Sequence, residues 1–307
     1  MSGHKILFYT HALLGGGAER VWARLASGLA ARGHSVDFVV DFEDEANRAL
    51  ISPQVRLRVL PRGHFAATRA LGSILRRERP DVSLSAISAA NLKHAVAAGL
   101  AGRLDRAVLS YHGFSESEPQ RLSQIAYRLT PILSRRAAAT VAVSRSLRQD
   151  MIARFRAAPD RVVTLHNPAA PEPFPAPVSV ADLAARPPLV LAVGRLVPDK
   201  AFEDLISAFA RLRRPDARLV ILGEGPGRAE LEALALRLGV EDRVEMPGFV
   251  ADTARRFAQA RCFALSSRRE SFGLVCVEAL AFGLPCLVTR SGGPEEIVDA
   301  PALGRVV

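Results

Sequence analysis

The sequence predicts an α/β protein of two domains, each with a parallel sheet covered by helices on both faces. Short apolar runs rich in β-branched residues alternate with helical patterns along the chain, beginning with KILFYT at residues 5–10. Such runs are typical of parallel strands that are buried on both faces. The chain has 307 residues, which is long for a single core. A proline-rich segment begins at Pro168, so we expect an N-terminal domain at 1–168, a linker at 169–188 and a C-terminal domain at 189–307.

In the N-terminal half, apolar runs define the strands and apolar spacing of 3.6 residues defines the helices. The first helix shows this spacing, since Val21 and Leu25 fall on one side, and Gly33 ends it. Ser144 is expected to cap one helix and Pro80 to follow the end of another. We expect strands at 5–10, 35–40, 55–60, 82–86, 107–111, 140–143 and 162–165, and helices at 18–31, 66–79, 91–100, 121–136 and 145–154.

The C-terminal half repeats the alternation of strand and helix. We expect strands at 189–193, 218–222, 243–246, 262–265 and 286–289, and helices at 202–212, 228–238 and 254–259, then one that opens at 272–274 and one that opens at 291–294. A sheet of this kind presents its loops and its ligands at the carboxyl ends of the strands.

The formal charge of the chain is +10, from 41 basic and 31 acidic residues, and its only lysines are Lys5, Lys93 and Lys200. The excess of arginine indicates either a solvated basic surface or attraction to an anionic ligand or membrane. The helix at 121–136 is amphipathic, with Ile125 and Ile132 on an apolar side opposite arginines such as Arg121 and Arg128, so it either packs on the core or lies on anionic lipid. Because no helix-turn-helix or RNP pattern accompanies the charge, we expect no nucleic-acid partner.

The cysteines and the hydropathy predict the compartment. Cys262, Cys276 and Cys286 lie in apolar surroundings without metal-ligand spacing, which is typical of free thiols in a reducing environment. The N-terminus does not have the pattern of a signal peptide, and no apolar run has the length of a transmembrane helix. We therefore expect a cytoplasmic protein, either free or peripheral on the inner face of the cytoplasmic membrane.

The segment at 270–296 holds the least ambiguous chemistry of the sequence. Glu270 ends a polar loop, and Glu278 follows inside an apolar helix whose residues three and four positions away are all apolar. A carboxylate on such a face is costly unless a partner hydrogen-bonds to it. The helix starts at 272–274 and at 291–294 both follow small-residue turns, and helix N-termini of this kind bind anions.

Other polar residues are expected to follow strands at the same sheet edges. Gly15 to Gly17 precede the first helix, where they form either a plain tight turn or a close approach to a ligand. His112 follows the strand at 107–111, and it is either a ligand contact or a solvated loop residue. Arg195 and Lys200 leave the strand at 189–193 on one loop, where they form either surface charge or a phosphate site.

Six motifs occur in order over nearly the whole chain: GGGAERVWARLASGLAARGH, VSRSLRQDM with LHNP, VGRLVPDKAFEDLISAFA, ILGEGPGRAELE, PGFV and ESFGLVCVEALAFGLPCLVTRSGGPEEIV. With them, the chain resembles the GT4 family of retaining glycosyltransferases. The spacing of Glu270 and Glu278 matches the E-x7-E element of that family. The resemblance implies a GT-B fold, in which two Rossmann-like domains face a cleft, and transfer of a sugar from a nucleotide diphosphate sugar without an obligatory metal. Consistently, the sequence contains no D-x-D motif.

The resemblance also implies roles for the candidate residues. Arg195 and Lys200 would neutralise the diphosphate leaving group, and Glu278 would accept hydrogen bonds from the ribose. Glu270 and His112 would contact the transferred sugar. The implied catalytic residues are His112, Arg195, Lys200 and Glu270, and the implied donor-binding residues are Gly16, Gly17, Glu224, Phe272, Gly273, Leu274 and Glu278.

The chain departs from the family at its C-terminus, where we expect the final helical segment of the family to be absent. Two alternatives to an active transferase follow: a non-catalytic nucleotide-sugar-binding partner protein, and a GT-B sugar epimerase or hydrolase. As partners we expect a UDP- or GDP-type sugar, a glycan or lipid-linked acceptor and an anionic membrane surface, with no cofactor and no metal.

Overall fold

A computed structural model of the chain describes residues 3–13, 16–43, 48–168, 174–250 and 252–307. The chain forms two compact units, Met1–Pro168 and Ala169–Val307. Each unit contains one sheet with helices packed against it, which confirms the predicted α/β class.

Among its described residues, the first unit has a seven-stranded sheet, and every neighbouring pair of these strands is parallel. The strands are β1 (Lys5–Thr10), β2 (Ser35–Val40), β3 (Arg56–Val59), β4 (Val82–Ala86), β5 (Ala107–Tyr111), β6 (Ala139–Ala142) and β7 (Val162–Thr164). The helices are α1 (Gly17–Ala31), α2 (His64–Glu78), α3 (Ser88–Leu100), α4 (Arg121–Arg136) and α5 (Arg145–Phe155). The order across the sheet is β3-β2-β1-β4-β5-β6-β7.

The second unit has a six-stranded parallel sheet. Its strands are β8 (Leu189–Val193), β9 (Arg218–Leu222), β10 (Val244–Gly248), β11 (Cys262–Leu265), β12 (Cys286–Val288) and β13 (Gly304–Val306). Its helices are α6 (Val180–Ala185), α7 (Phe202–Ala210), α8 (Arg228–Arg237), α9 (Ala254–Gln259), α10 (Leu274–Ala281) and α11 (Pro294–Ile297). The order across the sheet is β10-β9-β8-β11-β12-β13.

Both sheets reverse their winding direction beside the first strand of the unit. The reversal lies between β1 and β4 in the first unit and between β8 and β11 in the second. In open α/β sheets, ligands bind at the carboxyl ends of the strands at this point, because the loops diverge there and leave a crevice. The sheet order therefore predicts that ligands bind at the loops that follow β1, β4, β8 and β11.

Burial on both sheet faces explains why the apolar runs predicted the strands so well. Leu7 and Phe8 point to opposite faces of β1, and each is only 1% exposed. Phe8 stacks on Phe38 of the neighbouring strand, with 6.0 Å between ring centroids.

The structure differs from the sequence prediction inside the proline-rich segment. Helix α6 lies between Pro177 and Pro187, in a stretch without proline, and Ser179 Oγ accepts a hydrogen bond of 3.0 Å from Asp182 N. A capped, proline-free stretch is enough for a short helix. Part of the predicted linker is therefore a helix.

The structure describes two features on which the compartment prediction rests, the hydropathy of the helices and the state of the cysteines. Within the described residues, no helix is both long enough and apolar enough to cross a bilayer. All three cysteines are free, as predicted, with Cys276 and Cys286 buried and Cys262 partly buried.

Candidate functional site

The loops that follow β8 and β11 meet at the carboxyl edge of the second sheet. Lys200, on the first loop, forms an ion pair with Glu270, on the second. Ser266 Oγ also donates a hydrogen bond of 2.8 Å to the backbone oxygen of Lys200. The Lys200 and Glu270 side chains are only 20% and 15% exposed, so the pair is largely shielded from solvent at the sheet edge. The structure thus brings together two candidate residues that lie 70 positions apart in the sequence.

The loop that carries Glu270 is held by the turn before α11. Glu270 N donates to Ser291 O at 3.0 Å, and Gly293 N donates to Glu270 O at 2.8 Å. A Cβ atom on Gly293 would lie 2.4 Å from the Cα atom of Phe272, so the two segments pack backbone to backbone. The position of Glu270 is therefore set by backbone contacts that only glycine at 293 permits.

The first predicted anion site, at residues 272–274, coincides with a helix N-terminus. Phe272 is buried, and Gly273 has a φ of +92°, a left-handed conformation that favours glycine. Leu274 begins α10. Glu278 lies one helical turn later and is buried, as its apolar neighbours predicted. The backbone N–H groups of this turn and the Glu278 carboxylate thus belong to the same helix.

The second predicted anion site, at 291–294, differs from expectation. Its helix α11 has four residues, and Gly292 N donates a hydrogen bond of 2.7 Å to Glu295 Oε2. The anion at this turn is therefore a carboxylate of the chain itself. We correct the sequence interpretation here: this turn is an internal cap that supports the Glu270 loop.

Arg195 and Glu224 lie on neighbouring loops of the same edge. Leu196 N donates to Glu224 O at 2.9 Å, which joins the loop after β8 to the loop after β9. The Arg195 side chain is exposed, and the described part of the chain offers it no ion-pair partner. The Glu224 carboxylate binds Arg228, with Arg228 Nε 3.0 Å from Glu224 Oε2, and this hydrogen bond lowers the pKa of Glu224. Glu224 therefore borders the site with its charge already paired.

The remaining candidates, Gly16, Gly17 and His112, lie at the carboxyl edge of the first sheet. Gly16 is the N-terminal flanking residue of α1, and Gly17 is its first residue. His112 directly follows β5, and its ring packs edge-on against Trp22 of α1, with 5.4 Å between centroids. Burial lowers the pKa of His112 to about 4, so the imidazole is neutral at physiological pH.

A polar cluster at the same edge was not identified from the sequence. Asp41, which directly follows β2, receives a hydrogen bond of 2.9 Å from Tyr9 Oη and lies 2.6 Å from His11 Nδ1. It also forms an ion pair with Lys93 of α3. Asp41 and Lys93 are 8% and 7% exposed. Burial alone would raise the pKa of Asp41, but the bonds from His11, Lys93 and Tyr9 together lower it. The available signal was the rarity of lysine in the chain.

Helix α4 presents a mixed basic and apolar face to solvent. Its exposed residues follow helical spacing along one side: Arg121, Ile125, Arg128, Ile132, Arg135 and Arg136. Ile125 and Ile132 are 40% and 56% exposed, although the sequence interpretation placed them on the apolar side opposite the arginines. That interpretation needs correction, because neither isoleucine is on the buried side of the helix, which consists of Ser123, Ala126, Tyr127, Thr130, Leu133 and Ser134.

Two family models match nearly the whole chain in succession. The model described as glycosyltransferase family 4 matches residues 15–172, and the model described as glycosyl transferases group 1 matches residues 179–307.

This chain belongs to the GT4-type glycosyltransferases.

Individual relatives of this GT4 chain match parts of it. The lipopolysaccharide core biosynthesis glycosyltransferase LpsE of Rhizobium meliloti is 42% identical over 114 residues, 37% of this chain and 33% of the relative. A Campylobacter jejuni enzyme, named as an N-acetylgalactosaminyltransferase acting on a diphospho-undecaprenol-linked sugar, is 32% identical over 160 residues, 52% of this chain and 43% of the relative. The chain spans less than half the length of each of these two curated relatives.

The fold of the GT4 chain also matches solved structures. The crystal structure of HepE from Anabaena in complex with UDP-glucose aligns with a TM-score of 0.83 and 24% identity, covering 99% of this chain and 85% of that one. At this identity the likeness concerns the fold, and it confirms the expected GT-B class.

Proposed function

We propose that this chain is a retaining glycosyltransferase that transfers a sugar from a UDP- or GDP-type sugar to a glycan or lipid-linked acceptor without a divalent metal. The observation that carries the proposal is the Lys200–Glu270 pair beside the N-terminus of α10, at the winding reversal of the second sheet. Lys200 and the N-terminus of α10 suit the diphosphate, on which negative charge develops during the reaction. Glu270 suits the hydroxyls of the sugar. The UDP-glucose bound to HepE and the lipid-linked acceptor of the Campylobacter relative support the substrate classes.

The site residues divide the work of bond cleavage between them. As the glycosidic bond breaks, negative charge accumulates on the diphosphate, and Lys200 and Arg195 stabilise it electrostatically. The N–H groups at the start of α10 add fixed dipoles to the same oxygens. With this positive charge supplied by the chain, the reaction needs no divalent ion, and we expect activity to persist in EDTA.

The carboxylates and the imidazole recognise neutral parts of the donor. Glu278, buried on α10, accepts hydrogen bonds from the ribose hydroxyls. Glu270 contacts the hydroxyls of the transferred sugar, and its ion pair with Lys200 orients the carboxylate. His112 is neutral at physiological pH, so it exchanges hydrogen bonds with a sugar hydroxyl without adding a charge.

The test begins with a thermal-shift screen of UDP- and GDP-sugars, since a ligand of the folded state raises its stability. The selected donor is then incubated with free and undecaprenyl-linked saccharides, and nucleotide release and the anomeric configuration of the product are measured. Lys200→Met and Glu278→Gln are expected to lower turnover by at least ~100-fold, as loss of one electrostatic group does in comparable sites. The matched control is Arg256→Met on α9, which breaks the 3.1 Å pair with Glu245 on β10.

Each outcome of this test has a distinct meaning. Unchanged turnover in both site variants contradicts the site assignment, and an inverted product contradicts retention. Donor binding without transfer to any acceptor identifies a non-catalytic binding protein. Donor consumption without acceptor identifies a hydrolase or an epimerase.

We further propose that helix α4 rests on an anionic membrane surface, which would bring a lipid-linked acceptor to the enzyme. The support is the alternation of arginine and isoleucine on its exposed face, which suits both lipid phosphates and the acyl boundary. Co-sedimentation with vesicles of phosphatidylglycerol and phosphatidylcholine tests it. Ile125→Ser combined with Ile132→Ser should reduce binding, whereas Leu236→Ser, at a 63% exposed position on α8, should not. Equal binding to pure phosphatidylcholine vesicles would contradict the proposal.

A further inference from the structure

A buried chain of polar side chains runs through the first unit and ends beside His112. It lies between the sheet and α3, and its members are all buried. The chain consists of Ser83 and Ser85 on β4, Asn91 and His94 on α3, and Ser110 on β5. Buried polar groups are destabilising unless every member is paired.

One hydrogen bond of known direction sets the donor and acceptor roles of all the others among these side chains. Asn91 Nδ2 donates to the backbone oxygen of Ser110 at 2.8 Å, so its amide oxygen faces Ser85 and accepts from the Ser85 hydroxyl at 2.8 Å. Ser85 Oγ then accepts from His94 Nδ1, 2.9 Å away. His94 Nε2 accepts from the Ser83 hydroxyl at 2.8 Å. Burial lowers the pKa of His94 to about 4, which fits the neutral ring that this pattern requires.

The backbone oxygen of Ser110 is held by two donors at once. The second donor is Ile87 N, at 3.2 Å, so both lone pairs of the Ser110 oxygen are used. Ile87 has a φ of +75°, which a β-branched residue rarely adopts. Backbone strain of this kind persists where the surroundings impose it, and it concentrates at functional sites. The end of β5 is therefore fixed two residues before His112.

The His112 ring contacts the side chains of Ser110 and Trp22. Its Nε2 atom lies 3.0 Å from Ser110 Oγ, and the ring packs edge-on against Trp22. The hydroxyl that touches the imidazole and the carbonyl that Asn91 clamps belong to the same residue, Ser110. The buried chain thus connects the interior of the unit to the orientation of one ring at the sheet edge.

We propose that Ser110 and Asn91 are positioning residues for His112, with the Ser110 hydroxyl orienting the imidazole through Nε2 and Asn91 fixing the strand end that presents it. The proposal rests on the proposed function, because it assigns the ring a substrate contact. A fixed ring meets the sugar hydroxyl without a loss of side-chain freedom at the moment of reaction, and a misplacement of about 1 Å can lower a rate by about 100-fold.

The test compares two serine-to-alanine variants that each remove one buried hydroxyl. Ser110→Ala removes the contact with His112. Ser134→Ala removes the acceptor of a 3.0 Å hydrogen bond from Ala158 N. Ser134 lies near the end of α4, just before β6 begins at the amino edge of the sheet. The full chain is labelled with 15N-histidine, and His112→Gln identifies the His112 signals. The readouts are the Nε2 resonance of His112 and the kcat and KM values for the donor that the thermal-shift screen selects.

In Ser110→Ala, the Nε2 resonance of His112 should move and kcat should fall on the order of 10-fold to 100-fold, with KM for the donor changed less than about twofold. In Ser134→Ala, both readouts should match the unaltered protein. An unmoved His112 resonance in Ser110→Ala, or a kcat equal to that of Ser134→Ala, overturns the positioning role. Full activity in His112→Gln instead contradicts the role of His112 in the proposed function, and the resonance of Ser110→Ala still decides whether Ser110 orients the ring.

Discussion

Replacing Lys93 by methionine should strongly destabilise the first unit, because it leaves the Asp41 carboxylate buried without its cation. Lys93 and Asp41 are 7% and 8% exposed and form an ion pair between α3 and the end of β2. Methionine fills most of the space of the lysine stem, so the change removes the charge and leaves little cavity.

The size of the effect follows from the burial of the pair. Removing one partner of a buried ion pair typically costs about 3–5 kcal/mol, since the remaining charge is left uncompensated. Tyr9 and His11 still bond to Asp41, which places the expected loss at the lower end of this range, about 3 kcal/mol. For a unit of this size, each kcal/mol lowers the melting temperature by roughly 2–4 °C, so the first unit should melt roughly 6–12 °C lower.

The measurement is urea and thermal unfolding followed by circular dichroism, with Lys93→Met/Asp41→Asn as the matched control. Because the double variant leaves no unpaired charge, it should recover at least half of the loss. A single variant within about 1 kcal/mol of the unaltered protein, or a double variant as unstable as the single one, would refute the reasoning.

The same pair predicts a pH dependence with a defined sign. The folded pKa of Asp41 is lowered, so its contribution to stability is present above the unfolded value of about 3.9 and is lost as the pH falls through the folded value. In Lys93→Met, the burial of Asp41 is opposed by fewer hydrogen bonds, and the loss should begin at a higher pH. Identical acid-unfolding profiles of the two proteins would contradict this.

Two further predictions concern the second unit. Gly293→Ala should destabilise it by about 1–3 kcal/mol, because the new Cβ atom meets the backbone of Phe272. The control is Gly28→Ala on α1 of the first unit, where open space surrounds the glycine, and this change should instead stabilise the chain by about 1 kcal/mol. Equal effects of the two substitutions on the free energy of unfolding would contradict the packing. Cys276 should resist alkylation by iodoacetamide in the folded protein, since its hydrogen bond with the free thiol of Cys286 and its burial raise the pKa of the Cys276 thiol well above the usual value. Mass spectrometry that finds Cys276 modified before unfolding would disprove this.

The sequence predicted the sheets well because parallel strands are buried on both faces and read as continuous apolar runs. β1, β2 and β5 have the expected bounds, and Ser144 caps α5 as predicted, accepting a 3.1 Å hydrogen bond from Leu147 N. The order of the strands is not contained in such runs. It emerges only when crossover connections place β4 beside β1.

The parts of the candidate site that are close together in the sequence were easier to infer than the parts that are far apart. Gly273 and Leu274 are adjacent in sequence, and their helix start could be inferred from composition alone. The partner of Lys93 lies 52 residues away, so the buried cluster at Asp41 depends on the sheet order and has no local signature. The capping of Gly292 by Glu295 is local, but glutamate at that position suits an open helix end equally well.

The winding of the two sheets also shapes how the chain reaches its folded state. Among the described strands, no neighbours are antiparallel, so no pair can form through a tight hairpin turn. Ile6 of β1 pairs with Val82 of β4, a contact that forms only after the intervening strands and helices have been brought back to the sheet. The entropy of closing such long loops is lost before the contacts compensate for it. Each unit should therefore fold slowly, with helices forming before the central strands β1 and β8 acquire neighbours on both sides.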